Sequence, residues 1–402
     1  MLNICSPVPV QGENHMSTKT VPEPFTIAVP EDVLSDLRRR LSLTRWPDEI
    51  PGSGWQYGAN LTYLKELITY WQHEYNWRTQ ERLLNSFPQF RVQLDDIGLH
   101  YIHVPGRGPD PLPLLISHGW PGTIYEFVKI IGPLTDPARH GGDPRDAFTV
   151  VAPSLPGYGF SHVPNQRRLN VEDMADLFAR LMTEVLGFPR FAAQGGDWGA
   201  LITGRLGFAY PEQVVGIHLN MLPLVPHPSD RTNLTPAEEA FIKESKFFTT
   251  EETGYQWIQG TKPQTLAYAL NDSPVGLAAW ITEKFHTWTD CHQDIESRVS
   301  KDDLLTDIML YWVTQTINSS FWLYYQMRHT PWRLGPGEKI NIPTAMASFP
   351  GEILCPPREW VARVCNLKRW TVMSSGGHFA ALEEPQALVE DIRTFYRDLR
   401  PS

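Results

Sequence analysis

Cysteine is scarce: Cys5, Cys291, Cys355 and Cys365 are spread through 402 residues with no CxxC spacing. So thin a scatter builds neither a disulfide framework nor a zinc site, and reads as the reduced thiols of a cytoplasmic chain. Cations are in deficit as well, with 35 Lys and Arg against 45 Asp and Glu and a formal net charge of -10. Nucleic acid and anionic lipid are held by clustered cations, so neither is expected as a partner. Long apolar runs are missing, since no window reaches the roughly 18 uninterrupted apolar residues of a spanning helix. The opening MLNICSPVPVQGENHM has neither the basic start nor the apolar stretch of a secretory signal. No internal repeat or low-complexity tract is present.

What is there suits a globular core: 42% hydrophobic and 20% charged residues. The length fits one large domain with an insertion, or two modest ones. Residues 1–22 are polar and proline-dotted, with Met16 a second candidate start, and read as a flexible tail. Over 23–85 the pattern turns helical, with Val33, Leu34, Leu37 and Leu41, then Leu64, Leu67, Ile68 and Trp71, at helical spacing. This stretch is expected to be a helical N-terminal extension.

Residues 86–221 change period. FRVQLDDIGLHYIHVP alternates around a turn at Asp96-Ile97-Gly98, predicting an antiparallel hairpin at a sheet edge. The short apolar runs PLPLLI, AFTVVAPS, RFAAQGG and VVGIHLNM follow, separated by helical segments such as VEDMADLFARLMTEVLG. Strands buried on both faces and alternating with helices mean an α/β fold with a mostly parallel, doubly wound sheet. Between 222 and 329 the strand runs give way to proline-punctuated helical stretches, the pattern of a helical cap. Over 330–402 the strand signals IPTAMASFP and RWTVMSSGG and a final amphipathic helix complete the core.

Three motifs carry chemistry. Gln194-Gly195-Gly196-Asp197-Trp198-Gly199-Ala200, between a strand run and a small-residue helix, has the form of a nucleophile elbow with Asp197 at its apex. A carboxylate there needs no deprotonation to attack an electrophilic sp3 carbon, and the resulting ester can be opened by water. Asp before a helix is also an ordinary N-cap. Ser117-His118-Gly119-Trp120-Pro121-Gly122 ends an earlier strand run, where such architectures draw one oxyanion N–H; Trp120 and Trp198 are the expected donors. Ser374-Ser375-Gly376-Gly377-His378 follows the last strand run, and His378 completes the chain order nucleophile, acid, histidine. The acid is expected at Glu352, at the end of SFPGE, to orient His378. Asp302, Asp303 and Asp307 are rivals by residue type only, because they fall in the helical insertion. Nothing calls for a cofactor or a metal.

HGWPG, QGGDWGA, SFPGEILCPPREW and SSGGHFAALEEP, with ETGYQWIQGTKPQTLAYALNDSPVGLAAWI in the insertion, closely resemble the microsomal and juvenile-hormone type of epoxide hydrolase. The resemblance covers nearly the whole chain, from near Phe25 to the final helix. It implies an α/β-hydrolase fold, with Asp197 as nucleophile, His378 as base for water and Glu352 as its partner. It adds two cap tyrosines, at positions matching Tyr255 and Tyr324, that hold and protonate the epoxide oxygen. Tyr325 adjoins Tyr324, and helix geometry lets only one of the two face the site; the motif favours Tyr324. Microsomal members carry an N-terminal anchor with no counterpart in these first residues, so a soluble relative of the fungal or bacterial kind is expected.

The expected activity is cofactor-free conversion of a lipophilic epoxide and water to a vicinal diol, by a chain that can form a symmetric homodimer. The alternatives are a haloalkane or haloacid dehalogenase using the same Asp, and a catalytically silent binding protein on this fold.

Overall fold

A nine-stranded sheet organises the computed structural model, which describes residues 21–162 and 164–400. Apart from Val21 and Pro22, the expected flexible tail over 1–22 lies outside the described residues. The strands are β1 (Glu23–Phe25), β2 (Gln89–Leu94), β3 (Ile97–Val104), β4 (Leu112–Ser117), β5 (Phe148–Pro153), β6 (Phe191–Gly195), β7 (Val214–Leu219), β8 (Ile340–Ser348) and β9 (Cys365–Val372). Their order across the sheet is β1-β2-β3-β5-β4-β6-β7-β8-β9. β1, β2, β3 and β5 pair antiparallel in turn, and from β5 onward every pairing is parallel. The continuous apolar runs are the parallel strands, buried on both faces as such a sheet requires.

The β2–β3 hairpin forms around Asp95 and Asp96 but does not sit at the edge. β1 pairs outside it, Glu23 with Arg91 and Phe25 with Gln89. Three residues with Pro24 in the middle leave no readable period, and proline is tolerated there because an edge strand needs no donor on its open side. The segment expected to be a helical extension therefore begins with a strand before its helices Glu31–Ser42, Leu61–His73 and Trp77–Leu84. In the first two, Leu34, Leu37 and Leu41, then Leu64, Leu67, Ile68 and Trp71, are buried, as their spacing demands. Asn60 caps the second by accepting from the Tyr63 N–H.

Two apolar clusters flank the sheet. One lies beneath the helices Val128–Thr135 and Pro385–Arg397. The other joins the helices Val171–Arg180 and Asp197–Ala209 to the N-terminal helices and to the helices between 236 and 329. Register sets the working edge: Ser117 pairs with Gly195 and Gly195 with Leu219, so β4, β6 and β7 end level. The loops that follow open at one edge, beneath the helical segment.

Candidate active site

The turn after β6 is strained by design. Asp197 has φ +49°, the left-handed region that side-chain-bearing residues rarely occupy. The helix starting there lies hard against the sheet: a Cβ on Gly199 would collide with the Ser117 and His118 carbonyls. Only glycine permits that approach, and it lifts Asp197 off the sheet edge. The helix begins at Asp197, one residue earlier than expected, with Gly196 at its cap position and no side-chain capping bond. The Asp197 carboxylate thus faces outward instead of capping.

Its Oδ1 accepts from the Trp120 N–H at 2.8 Å, and the carboxylate also accepts from the Trp198 N–H. Both anticipated donors converge on the carboxylate where ester chemistry would place negative charge. Gly119 makes room, since a Cβ there would overlap the Asp197 carboxyl group. On the other side His378 Nε2 lies 3.6 Å from Asp197 Oδ2, and His378 Nδ1 lies 2.7 Å from Glu352 Oε1. Glu352 Oε1 also accepts from the Ile353 N–H at 2.7 Å.

The acid and histidine loops are tied together, with the Gly351 N–H donating to the Gly376 carbonyl at 2.9 Å. His378 is further pinned where its N–H meets the Trp288 carbonyl at 2.9 Å. Asp302, Asp303 and Asp307 stand elsewhere. Asp302 accepts from the Tyr70 hydroxyl, Asp303 pairs with Lys129, and Asp307 accepts from the Thr123 hydroxyl.

The electrostatics follow from burial and proximity. Burial opposes charge on His378, yet the adjacent Glu352 and Asp197 carboxylates outweigh it and hold the imidazolium up to about 9. Burial lifts the Asp197 carboxyl above its ordinary range, against the pull of His378 and the two tryptophan N–H groups.

A cavity of about 310 Å³ opens over Asp197, walled by Leu201, Met221, Phe248 and Met327, with Tyr255 and Tyr324 facing it. Both tyrosines are buried, their rings 5.8 Å apart, and the Tyr324 hydroxyl is close enough to bond to that of Tyr255. Gln256 Nε2 donates to the Tyr255 hydroxyl at 2.8 Å. Tyr324 stands edge-on to Trp198 at 4.7 Å, whereas Tyr325 turns away and stacks on His329 at 4.0 Å. Burial pushes both cavity phenols up, so they stay protonated at neutral pH. A larger cleft of about 790 Å³, between residues 39–64 and 272–279, contains none of these groups.

Sequence reasoning missed Glu126. It lines a void of about 10 Å³ behind Asp197, together with His378, Gln194 and Asn220, a space at the threshold for one water. Its carboxyl is pushed well up by burial and by the neighbouring Asp307. The available signal was one acid inside the apolar run TIYEFVKII, directly after HGWPG. Among the described residues no cluster of His, Cys, Asp and Glu could hold a metal ion, and no helix is long and apolar enough to cross a membrane.

Family comparisons agree on one identity. Residues 22–127 match the epoxide hydrolase N-terminus model, and residues 113–239 match the alpha/beta hydrolase fold model. The chain is 40% identical to epoxide hydrolase 1 of Oryctolagus cuniculus over 406 residues, covering 92% of this chain and 88% of that protein. The solved Aspergillus niger epoxide hydrolase superposes with TM-score 0.83 at 30% identity, covering 96% of this chain and 98% of that one. The crystal structure of juvenile hormone epoxide hydrolase from Bombyx mori gives TM-score 0.86 at 30% identity, with 97% of each chain covered.

Proposed function

This chain belongs to the epoxide hydrolase family, and from that premise we propose that it converts lipophilic epoxides to vicinal diols in two steps, through an ester on Asp197. The observation that carries this reading is the placement of Asp197. One oxygen is held by a backbone N–H, the other lies 3.6 Å from His378, and the carboxylate forms the floor of an apolar cavity faced by two phenols.

In the first step Asp197 Oδ2 attacks an epoxide carbon. The C–O bond breaks, and the oxygen takes a proton from Tyr255 or Tyr324. A phenol that is protonated at rest is a suitable acid for an alkoxide. Ester formation also removes the charge of Asp197. One of the two anions that hold the His378 proton then disappears; the imidazolium releases that proton, which restores the phenol through solvent, and the imidazole is free to act as base when water must be activated.

In the second step water, placed between Asp197 and His378, loses a proton to Nε2 and attacks the ester carbonyl carbon. Negative charge grows on Oδ1, where the Trp120 and Trp198 N–H groups receive it, each worth roughly 3 kcal/mol in such a transition state. Collapse breaks the bond to Oδ2 as that oxygen takes the proton from the His378 imidazolium, so the diol leaves with an oxygen that began on Asp197, and the proton of the new Asp197 carboxyl group returns to the imidazole.

The dehalogenase alternative is not favoured: the relatives are epoxide hydrolases, and a departing halide needs no acid phenols. The test offers styrene oxide to the wild-type protein and to Asp197→Ala. Diol from the wild type alone is expected; diol from both, or from neither, overturns the reading.

A further inference from the structure

The reaction sketched above leaves a buried cation unused. Lys284, in the helix Pro274–Trp288, is 6% exposed. A buried charge is costly, and an apolar side chain of similar size would fill the same space more cheaply. The Lys284 Nζ lies 4.6 Å from the centroid of the Tyr255 ring, over its face, and 5.6 Å from the ring of Trp288. Its ion-pair partner is Glu283, at 2.5 Å. Tyr255 also stacks on Trp120, with ring planes 11° apart and centroids at 5.3 Å. The phenol ring thus meets both an indole and a cation.

We propose that Lys284 is a positioning residue for epoxide opening, which acts through Tyr255 by stabilising the negative charge its ring acquires as the phenol gives up its proton. The inference rests on the proposed role of Tyr255 as an acid. As the Tyr255 O–H bond breaks and the proton passes to the epoxide oxygen, the electron pair stays on the phenolic oxygen and spreads into the ring. A cation over the face of a ring attracts that ring more strongly as it becomes more electron-rich. The interaction is therefore stronger in the transition state than in the resting enzyme, which is the condition for accelerating a step and not merely binding its substrate. It also answers the drawback of a buried acid. Burial, and the nearby Asp197 and Glu283 carboxylates, make the Tyr255 phenol reluctant to part with its proton, and the ammonium over its ring face opposes that reluctance as the ring gains charge. The second step involves no phenol, so Lys284 should not affect it.

The experiment is a double-mutant cycle with Lys284→Met and Tyr255→Phe, on a single aryl epoxide. Ester formation is followed by stopped-flow tryptophan fluorescence under excess enzyme, and ester hydrolysis in the same traces. Lys284→Met is expected to slow ester formation roughly tenfold or more, the size of a desolvated cation–π interaction, and to leave hydrolysis unchanged. In the Tyr255→Phe background, where no phenol gives up a proton at that position, Lys284→Met should cost nothing further.

Equal losses in both backgrounds, or equal slowing of both steps, would make Lys284 merely structural and overturn the proposal. Unchanged ester formation in Lys284→Met, beside an impaired Tyr255→Phe, would overturn it while sparing the role of Tyr255. Full activity in Tyr255→Phe would overturn both. Lys284→Gln, which keeps a polar contact for Glu283, replaces the Met variant if that one fails to fold.

Discussion

Replacing Glu352 by Gln should divide the two chemical steps. The Glu352 Oε1 to His378 Nδ1 contact is 2.7 Å, and the two side chains are 1% and 3% exposed, so water screens them little. Across that distance, at an effective dielectric near 20, the attraction between carboxylate and imidazolium is roughly 6 kcal/mol. The Gln side-chain oxygen can still accept from Nδ1–H and keep the ring oriented, which retains part of that stabilisation. A net loss of about 3–4 kcal/mol in the hydrolytic transition state, where the imidazolium forms, corresponds to a slowing of about 10²–10³-fold. Ester formation asks nothing of a charged His378 and should stay within a few-fold of wild type. Rapid-quench mass spectrometry should then show an adduct of substrate mass building up on the peptide that contains Asp197. Slowed adduct formation with no build-up would refute the reasoning and remove Glu352 as the partner of His378.

Two further expectations follow from the same geometry. Ester hydrolysis should rise with pH to a plateau, because it needs neutral imidazole; its midpoint should fall between the ordinary histidine value of 6.5 and about 9, since the ester no longer supplies the Asp197 charge. A hydrolysis rate that falls as pH rises would contradict this, and single-turnover rates across pH 6–10 provide the check. Changing Tyr255 and Tyr324 together to Phe should lower ester formation by roughly 10²–10⁴-fold, the scale of general acid catalysis, while the protein stays folded by circular dichroism; normal adduct formation would remove both phenols from the mechanism.

How much of this was readable beforehand depended on what kind of information each residue carries. The parallel strands were visible because burial on both faces leaves continuous apolar runs. The N-terminal helices were visible because Leu34, Leu37 and Leu41, and then Leu64, Leu67, Ile68 and Trp71, share one face. β1 was not, because three residues around Pro24 carry no period; without it the hairpin was misplaced at the edge.

Asp197, Glu352 and His378 could be picked out because each sits on a glycine-containing loop after a strand, and a parallel sheet delivers such loops to one edge. Tyr255 and Tyr324 came only through resemblance, since helical periodicity does not say where an inserted segment folds back over a sheet. Glu126 and Lys284 were invisible for a different reason. A charged residue in a helical pattern reads as solvated until its burial is known, and both gain their interest from lying near buried reacting groups.

The central claim is that the oxygen added to the substrate comes from Asp197 and not directly from water. It is tested by one turnover in H₂¹⁸O with enzyme in excess over an aryl epoxide, followed by mass spectrometry of the diol and of the peptide that carries Asp197. The expected result is unlabelled diol from the first turnover with ¹⁸O retained in the Asp197 carboxylate. A diol carrying one ¹⁸O in every molecule and an unlabelled Asp197 would mean that water opens the ring directly and that no ester forms.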